Sequence, residues 1–270
     1  IVSTPIGNLK DICLRAIEVL QSVDYILCED TRRASKLKNH YQLKPKLISF
    51  HDHNERKRIP QIVERMSKGR KFALISDAGM PLISDPGYLL VKELIRLGIQ
   101  ITCVPGPSAV LAALTLSGFP VQSFAFHGFL PPAAAARRAK LERLAAMPEQ
   151  TLVLFESPER IVGLLREIGE VLGDRNVALC REITKLHEEI LRGSVSELLT
   201  RIAPRRLKGE FTVVIAPGEE SHIQMTDEMI LARFRQLESE GVNRKDLLKR
   251  LSKESGRSRN EIYRLLFESK

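Results

Sequence analysis

The sequence predicts an α/β protein built from two α/β domains with largely parallel sheets. Short apolar runs with strand character alternate with amphipathic, helix-like segments through most of the 270 residues. Several of these runs end in turns rich in glycine and proline, whereas the last part of the chain has helical periodicity without strand signals. The predicted division is therefore one α/β domain over residues 1–118, a second over residues 119–218, and a helical, basic C-terminal extension over residues 219–270.

The individual strands and helices follow from the spacing of apolar residues. Short apolar and β-branched runs indicate strands, and apolar residues that recur every three or four positions indicate helices. A boundary is predicted at Gly118, because a new strand-rich segment begins at Phe124, and another after Gly218, where strand signals stop. The predicted strands are residues 25–28, 72–75, 100–104, 151–155, 177–180 and 211–215, and the predicted helices are residues 12–22, 89–97, 109–117, 160–172 and 195–202.

The tail is predicted to hold two short helices joined at Gly256. Ser258 and Glu261 have the spacing of a capping box at the start of the second helix. Residues 244–264 contain eight Lys or Arg against three Asp or Glu. A helix-turn-helix-like nucleic-acid module and a solvated helical tail or dimer contact both fit this pattern.

Composition and charge exclude several classes of protein. No apolar run approaches the roughly 20 residues that a membrane-spanning helix needs, so no membrane association is expected. The formal net charge of +9 favours a polyanionic partner. The four cysteines are widely spaced in apolar contexts, which predicts reduced thiols in a cytoplasmic protein rather than disulfides or a zinc site.

Residues 76–87 form the most informative segment, Ser-Asp-Ala-Gly-Met-Pro-Leu-Ile-Ser-Asp-Pro-Gly. This segment lies between a predicted strand and a predicted helix, at the edge where open α/β sheets bind ligands. It contains carboxylates and two glycines that allow close backbone approach, but no Lys or Arg and no Lys-Ser/Thr ending. The composition suits a neutral or cationic ligand and does not suit a triphosphate.

Residues 4–9 and 104–109 repeat this design, with a strand, a Pro/Gly turn and a helix start. The free amides at such a helix start can hold a carboxylate or another polar group. Because carboxyl ends of neighbouring strands meet at one edge of a sheet, the three turns are predicted to converge on one crevice.

The motifs taken together resemble the ribosomal RNA small subunit methyltransferase I family, within the wider tetrapyrrole (class III) methylases. The resemblance covers residues 1 to about 218. It is carried by residues 4–9 (Thr-Pro-Ile-Gly-Asn-Leu), 29–32 (Glu-Asp-Thr-Arg), 51–55 (His-Asp-His-Asn-Glu), 76–87, 105–108 (Pro-Gly-Pro-Ser), 128–131 (Gly-Phe-Leu-Pro), 155–158 (Phe-Glu-Ser-Pro) with Arg160, and 181–185 (Arg-Glu-Ile-Thr-Lys).

The resemblance implies the tetrapyrrole-methylase architecture, with S-adenosylmethionine bound in a cleft between the two α/β domains. It also implies a homodimer that 2′-O-methylates a cytidine ribose in the decoding region of 16S rRNA in the small ribosomal subunit. A cationic, phosphate-free sulfonium agrees with the cation-free loop. By resemblance the cofactor is held by Pro5, Ile6, Asp77, Ala78, Gly79, Met80, Ile83, Ser108 and Ala109 from the first domain, and by Phe155, Glu156 and a residue near Thr212 from the second.

Methyl transfer to a ribose hydroxyl needs an in-line arrangement and a group that helps to remove the hydroxyl proton. The candidates for that group are Glu29, Asp30, Glu182 and Lys185, without a choice among them, and Arg32 or Arg181 is a candidate for steadying a phosphate. For residues 29–32 the alternative is a helix cap with a local ion pair. The candidates for RNA contact are Arg56, Lys57, Arg58, Arg137 and Arg138, which are equally compatible with solvated surface charge.

Two further segments leave alternatives open. The His51-x-His53 pair is compatible with metal ligation, but no other His or Cys cluster completes a ligand set, so polar loop residues near the substrate or a dimer contact are preferred. Residues 133–136 are four alanines where the family usually shows a Lys- and Ser-bearing loop, which puts a role of this loop in RNA binding in doubt.

Two other functions share these features. A small-molecule methylase acting on a tetrapyrrole-like acceptor would have the same fold and cofactor site. A non-catalytic RNA-binding or assembly protein could retain the pocket. Positive charge and residues 4–9 and 29–32 favour the RNA methyltransferase.

Overall fold

A computed structural model describes residues 1–218, 226–240 and 242–267. By its packing the chain divides into two units, residues 1–217 and residues 218–270. Residues 219–225, 241 and 268–270 of the predicted extension lie outside the described residues.

The first sheet has three parallel strands in the order β2-β1-β3. Tyr25 of the central strand pairs with Lys46 on one side and with Phe72 on the other. Successive side chains of a strand point to opposite faces, so Ile26 packs with α1 and α2 while Leu27 packs with α3 and α4. The elements are α1 (Leu14–Ser22), β1 (Tyr25–Cys28), α2 (Thr31–His40), β2 (Lys46–Ser49), α3 (Glu55–Ser67), β3 (Phe72–Leu74) and α4 (Tyr88–Arg96).

The strand predicted over residues 100–104 is wrong. Only Val104 forms a bridge, with Val2, through the bonds Val104 N to Ile1 O (2.9 Å) and Ser3 N to Val104 O (3.2 Å). Pro105 follows directly, and a ladder cannot continue there because proline has no N–H donor.

The second sheet has five strands in the order β4-β5-β8-β6-β7. The expectation of largely parallel sheets is wrong here, because only β4 and β5 run parallel and the other neighbours are antiparallel. The short turn between β6 and β7 requires an antiparallel pair. The elements are α5 (Ala109–Ser117), β4 (Phe124–Phe129), α6 (Ala134–Ala145), β5 (Thr151–Glu156), α7 (Ile161–Leu172), β6 (Asn176–Arg181), β7 (Glu189–Ser194), α8 (Val195–Ile202) and β8 (Phe211–Ile215).

Helices cover both faces of the second sheet. One face packs with α6, α7 and α8 around a fully buried core that includes Leu154 and Leu164. The other face packs with α5, whose Val110 and Leu114 contact Val153. Helix α5 precedes the boundary predicted at residue 118, but its buried side chains belong to the core of the second sheet. The domain division at residue 118 stays a prediction.

Within residues 226–240 and 242–267, the second unit forms the helices α9 (Asp227–Ser239), α10 (Arg244–Ser255) and α11 (Arg259–Phe267). Ile230, Leu251 and Ile262 are fully buried in its core. The predicted joint is confirmed, since Gly256 ends α10 with a left-handed φ of 70°. The predicted capping box is also confirmed: Ser258 N donates to Glu261 Oε2 (2.7 Å), and Glu261 N donates to Ser258 Oγ (3.3 Å).

None of the helices within the described residues combines the length and the apolar composition that crossing a bilayer requires.

Candidate active site

The structure brings most of the predicted site residues to one cavity of about 610 Å³ in the first unit. The cavity lies between the carboxyl end of the first sheet and the ends of β5, β6 and β8. The predicted residues that line it are Ile6, Glu29, Asp30, Asp77, Ala78, Gly79, Met80, Ile83, Ser108, Ala109, Phe155, Glu156, Glu182, Lys185 and Thr212.

The loop of residues 76–87 leaves β3 and is tied to residue 4. Thr4 N donates to Gly79 O (2.8 Å), and Gly79 N donates back to Thr4 O (3.0 Å). Within the loop, Leu82 (φ 72°) and Ser84 (φ 67°) adopt the left-handed region, which side chains other than glycine rarely occupy. Such strain persists only where the surrounding structure holds it, and it is enriched at functional sites.

The start of α5 forms the next part of the wall. Ser108 caps the helix, its Oγ accepting from Leu111 N (3.4 Å), and Ser108, Ala109 and Val110 at the helix start line the cavity. The first amides of a helix have no partner within the helix. The preceding turn is fixed by Ser3 Oγ, which donates to Pro107 O (2.8 Å). The geometry suits a ligand carboxylate at the helix start.

Another part of the cavity wall carries two aromatic rings and a buried carboxylate. The rings of Phe129 and Phe155 lie 5.6 Å apart between centroids, and Phe129 is exposed. Glu156 is buried, and its carboxylate accepts from Ser157 N (2.8 Å) and Arg160 Nη2 (3.0 Å). Thr212 of β8 pairs with Phe155, which places its side chain beside the aromatic edge.

A strained turn between β6 and β7 completes the cavity. Glu182 (φ 51°) and Thr184 (φ 67°) are both left-handed. Lys185 Nζ lies between two carboxylates, 2.7 Å from Glu182 Oε1 and 2.8 Å from Glu210 Oε2. The turn contacts residues 4–9 through Asn8 N, which donates to Thr184 Oγ1 (3.1 Å).

Gly7 allows this close approach, and Gly7→Ala is expected to disturb it. A Cβ at Gly7 would lie 2.5 Å from Lys185 Cγ and 3.0 Å from the backbone oxygen of Ile183. We expect a loss of about 1–3 kcal/mol in the free energy of unfolding, measured by urea titration. The matched control is Gly163→Ala on α7, where a Cβ meets nothing within 4 Å, and a gain of up to about 1 kcal/mol is expected from helix propensity. Equal stability of the two variants would contradict the contact.

The cavity is strongly acidic. Among the described residues that line it, seven carry carboxylates, and two, Arg33 and Lys185, carry cationic groups. Burial, followed by the charges of Glu29 and Asp77, raises the pKa of Asp85 to about 7, although a hydrogen bond from Ser76 opposes the shift. Burial and the charges of Asp77 and Asp52 also raise the pKa of Glu29.

The other candidates for accepting the hydroxyl proton, Asp30, Glu182 and Lys185, have pKa shifts that make them poor bases. Hydrogen bonds from Arg32 lower the pKa of Asp30 to about 2, and this carboxylate caps α2 by accepting from Arg32 N (2.8 Å). Burial works to raise the pKa of Glu182, but hydrogen bonds from Lys185 and Glu210 N lower it overall. Burial lowers the pKa of Lys185, but its two carboxylate partners outweigh this and raise it, so the amine stays protonated.

Several predicted residues lie outside this cavity. Pro5 lines a neighbouring cavity of about 400 Å³. Arg32 is an exposed side chain paired with Asp30 (2.7 Å), as in the alternative of a helix cap with a local ion pair. On the first turn of α3, Arg56 and Lys57 are exposed and Arg58 is half-buried, and none of the three lines either cavity.

The last three alanines of the segment 133–136 begin α6, with Ala133 just before the helix, and the two arginines that follow are engaged by acidic residues. Arg137 is largely buried; it donates to both carboxylate oxygens of Glu167 (2.5 and 2.6 Å) and to Pro132 O (2.9 Å). All three guanidinium nitrogens of Arg137 are therefore engaged by acceptors within the protein, and its role as an RNA contact stays a prediction. Arg138 is half-exposed and pairs with Glu170 (2.9 Å).

The histidine pair lies in the turn before α3. His51 Nε2 contacts Asn54 Nδ2 (2.9 Å), and the rings of His51 and His53 are 5.9 Å apart. No group of three or more metal-ligating side chains that could hold an ion is found within residues 1–218, 226–240 and 242–267.

Sequence reasoning missed Asp85, Arg33 and Glu210 as cavity residues. Asp85 lies in the 76–87 segment, so its presence in that motif was the available signal. Arg33 follows residues 29–32 and lies 3.4 Å from Asp77. Glu210 has no sequence signal, because it meets Lys185 only through the pairing of β6 with β8.

Comparison with known proteins identifies the family. The sequence model of the family described as Tetrapyrrole (Corrin/Porphyrin) Methylases matches residues 1–199. The chain is 49% identical over 219 residues to the ribosomal RNA small subunit methyltransferase I of Thermotoga maritima, covering 81% of this chain and 98% of that protein. It is 39% identical to the protein of the same name from Halalkalibacterium halodurans, covering 98% of this chain and 93% of that protein.

The fold agrees with solved structures of distant relatives. A diphthine synthase structure superposes with a TM-score of 0.63 at 14% identity, covering 80% of this chain and 88% of that chain. A cobalt precorrin-4 methyltransferase superposes with a TM-score of 0.57 at 18% identity, covering 80% and 93%. The family model and the relatives of 39% and 49% identity agree with this fold. The chain therefore belongs to the ribosomal RNA small subunit methyltransferase I family, within the tetrapyrrole methylases.

Proposed function

We propose that the protein is an S-adenosylmethionine-dependent rRNA methyltransferase that acts on the ribose 2′-hydroxyl of a cytidine in the decoding region of 16S rRNA. The observation that carries the proposal is the acidic cavity in which the loop 76–87, the start of α5 and the ends of β5 and β8 meet. The relatives' names support rRNA as the acceptor, and the net charge of +9 supports a polyanionic partner.

The residues present fit S-adenosylmethionine by their chemistry. A cationic sulfonium suits the carboxylates of Asp77, Asp85 and Glu29, and a ligand carboxylate suits the amides at the start of α5. An adenine ring suits the edge formed by Phe129 and Phe155. When bound, the group supplies an electrophilic methyl and departs as a neutral thioether.

The chain's own residues would hold the acceptor and take its proton. Formation of the new C–O bond requires that the 2′-hydroxyl proton leaves, and a base with a pKa near the working pH is best suited to accept it. Asp85 lines the cavity beside Glu29 and Asp77, and we assign Asp85 as the proton acceptor with Glu29 as its neighbour. Lys185, held protonated between Glu182 and Glu210, would steady negative charge on the acceptor.

Family membership also leads us to propose a homodimer in the cytoplasm, with the two α/β domains meeting near residue 118. The basic helical unit after residue 217 is proposed as an additional contact to the small ribosomal subunit. Light scattering coupled to size exclusion tests the homodimer, and a mass equal to one chain would contradict it.

One assay separates the proposed function from its alternatives. The protein is incubated with labelled S-adenosylmethionine and, in turn, with small ribosomal subunits, naked rRNA and tetrapyrrole acceptors. We expect label in the RNA arms. Label confined to a tetrapyrrole would establish the small-molecule methylase, and cofactor binding without any transfer would favour a non-catalytic RNA-binding protein.

A further inference from the structure

A second cavity of about 400 Å³ adjoins the acidic cavity. One side is formed by residues 4–9, the other by the first turns of α2, and the floor by residues 75–77 at the end of β3. The two cavities share four residues, namely Arg33, Asp77, Lys185 and Glu210. The volume lies at the small end of the range for ligand pockets, roughly 300–1,000 Å³, and suits one small planar ligand.

The walls of this second cavity are fixed on several sides. Thr4 Oγ1 donates to Ser76 O (3.1 Å), which ties residue 4 to the floor. The Tyr41 hydroxyl donates to Leu9 O, and Asn8 N donates to Thr184 Oγ1 (3.1 Å). Such bonds hold the cavity open without a ligand, so binding does not need to order the segment of residues 4–9.

The lining combines apolar side chains with charged groups of both signs, namely Arg33, Lys36 and Lys185 with Asp77 and Glu210. Leu37 and Ile75 are buried, and Leu9 completes an apolar surface on which a planar base can pack. Arg33 and Lys36 stand three residues apart on α2, on one side of the helix. The Arg33 side chain is 61% exposed, and the exposed Lys36 side chain forms no ion pair or hydrogen bond within the described residues.

We propose that this cavity receives one unstacked nucleoside of the acceptor RNA, with its base against Leu9 and Leu37 and an adjacent phosphate at Arg33 and Lys36. A ribose in this position lies at the boundary with the acidic cavity, where Asp77 and Lys185 are shared. Proteins that read RNA sequence mostly bind single-stranded segments whose bases are unstacked, and a preformed pocket for one base selects for such RNA. The inference rests on the proposed function.

Binding is tested without the cofactor, by fluorescence anisotropy with a labelled, cytidine-containing single-stranded RNA oligonucleotide. Lys36→Glu is expected to weaken RNA binding about tenfold, and Lys36→Arg to retain it. The matched control is Lys92→Glu on α4, an exposed lysine outside both cavities, where a change below about twofold is expected from long-range charge alone. Leu9→Trp, which fills the cavity from its apolar side, is expected to weaken binding as well.

Thermal unfolding and calorimetry with S-adenosylmethionine accompany each variant, and both are expected to remain unchanged for Lys36→Glu. Equal RNA affinity of Lys36→Glu and Lys92→Glu, together with unaffected binding by a folded Leu9→Trp, would overturn the nucleoside pocket, as would a wild-type protein that does not bind the RNA. If the wild type binds RNA with the predicted pattern of variants but transfers no methyl group, the proposed function fails while the pocket stands.

Discussion

Replacing Asp77 with alanine is expected to lower the affinity for S-adenosylmethionine by at least tenfold, or about 1.4 kcal/mol. The Asp77 carboxylate is largely buried, lines both cavities and lies 3.4 Å from the Arg33 guanidinium. Removing it takes away a negative charge in a partly desolvated site, where attraction to a sulfonium is strong. Isothermal titration calorimetry measures the change.

Asp77→Asn separates the charge from the hydrogen bond. The carboxylate also accepts from Asp30 N (3.1 Å), which helps to position the start of α2. Asparagine keeps an acceptor for that amide but has no charge, so we expect a stability close to wild type and an affinity as low as in Asp77→Ala. Unchanged affinity in both variants would remove Asp77 from the cofactor site.

Replacing Asp85 with asparagine is expected to stabilise the protein at pH 8 and to abolish most of its activity. The pKa of Asp85 is about 7 in the folded protein and 3.8 for an ordinary aspartate. Between these values the folded state holds a proton that the unfolded state has released, so the free energy of unfolding falls as pH rises through this window. Burial of the carboxyl is the largest cause of its raised pKa, followed by the charges of Glu29, Asp77 and Asp52, with the hydrogen bond from Ser76 opposing them.

Asparagine is uncharged, so this variant does not lose unfolding free energy through ionisation of a partly buried carboxyl at high pH. Because the Asp85 carboxyl is only partly buried and solvent screens its charge, we expect Asp85→Asn to exceed the wild type by about 1–3 kcal/mol in the free energy of unfolding at pH 8, and by clearly less at pH 5. Urea titrations at the two pH values measure it. Loss of the proton acceptor should reduce kcat by about a hundredfold or more while S-adenosylmethionine still binds.

The control for Asp85→Asn is Asp174→Asn. Hydrogen bonds from Ser196 N and Oγ (both 2.8 Å) lower the pKa of Asp174, which is exposed and outside both cavities. This variant should lose rather than gain stability at pH 8 and should keep its activity. A wild-type stability profile for Asp85→Asn from pH 5 to pH 8 would contradict the charge state assigned to Asp85.

The features that sequence predicts well depend on local interactions. Helix α5 was expected over the residues where it occurs, since Ser108 caps its start and Gly118 ends it in the left-handed region. The Ser258–Glu261 capping box is likewise a matter of three-residue spacing. The 76–87 segment was identified as a ligand loop because its glycines, carboxylates and missing cations are visible in the sequence.

The features that the sequence does not predict depend on contacts between residues that are distant in the chain. The antiparallel placement of β8 between β5 and β6 is set by tertiary pairing, so the direction of the second sheet was predicted wrongly. The charge state of Asp85 depends on Glu29 and Asp77, and that of Lys185 depends on Glu210. The ion pair of Arg137, a candidate RNA contact by sequence, with Glu167 cannot be recognised in advance, because the two residues lie 30 positions apart.

We propose that methyl transfer to a ribose hydroxyl of small-subunit rRNA takes place in the acidic cavity. To test this most directly, the protein is incubated with small ribosomal subunits and S-adenosylmethionine that carries a deuterated methyl group. The rRNA is then digested to nucleosides, which are analysed by mass spectrometry. We expect deuterated 2′-O-methylcytidine with the wild type and its loss with Asp85→Asn. Deuterium in a base-methylated nucleoside, or in no nucleoside while the cofactor binds, would contradict it.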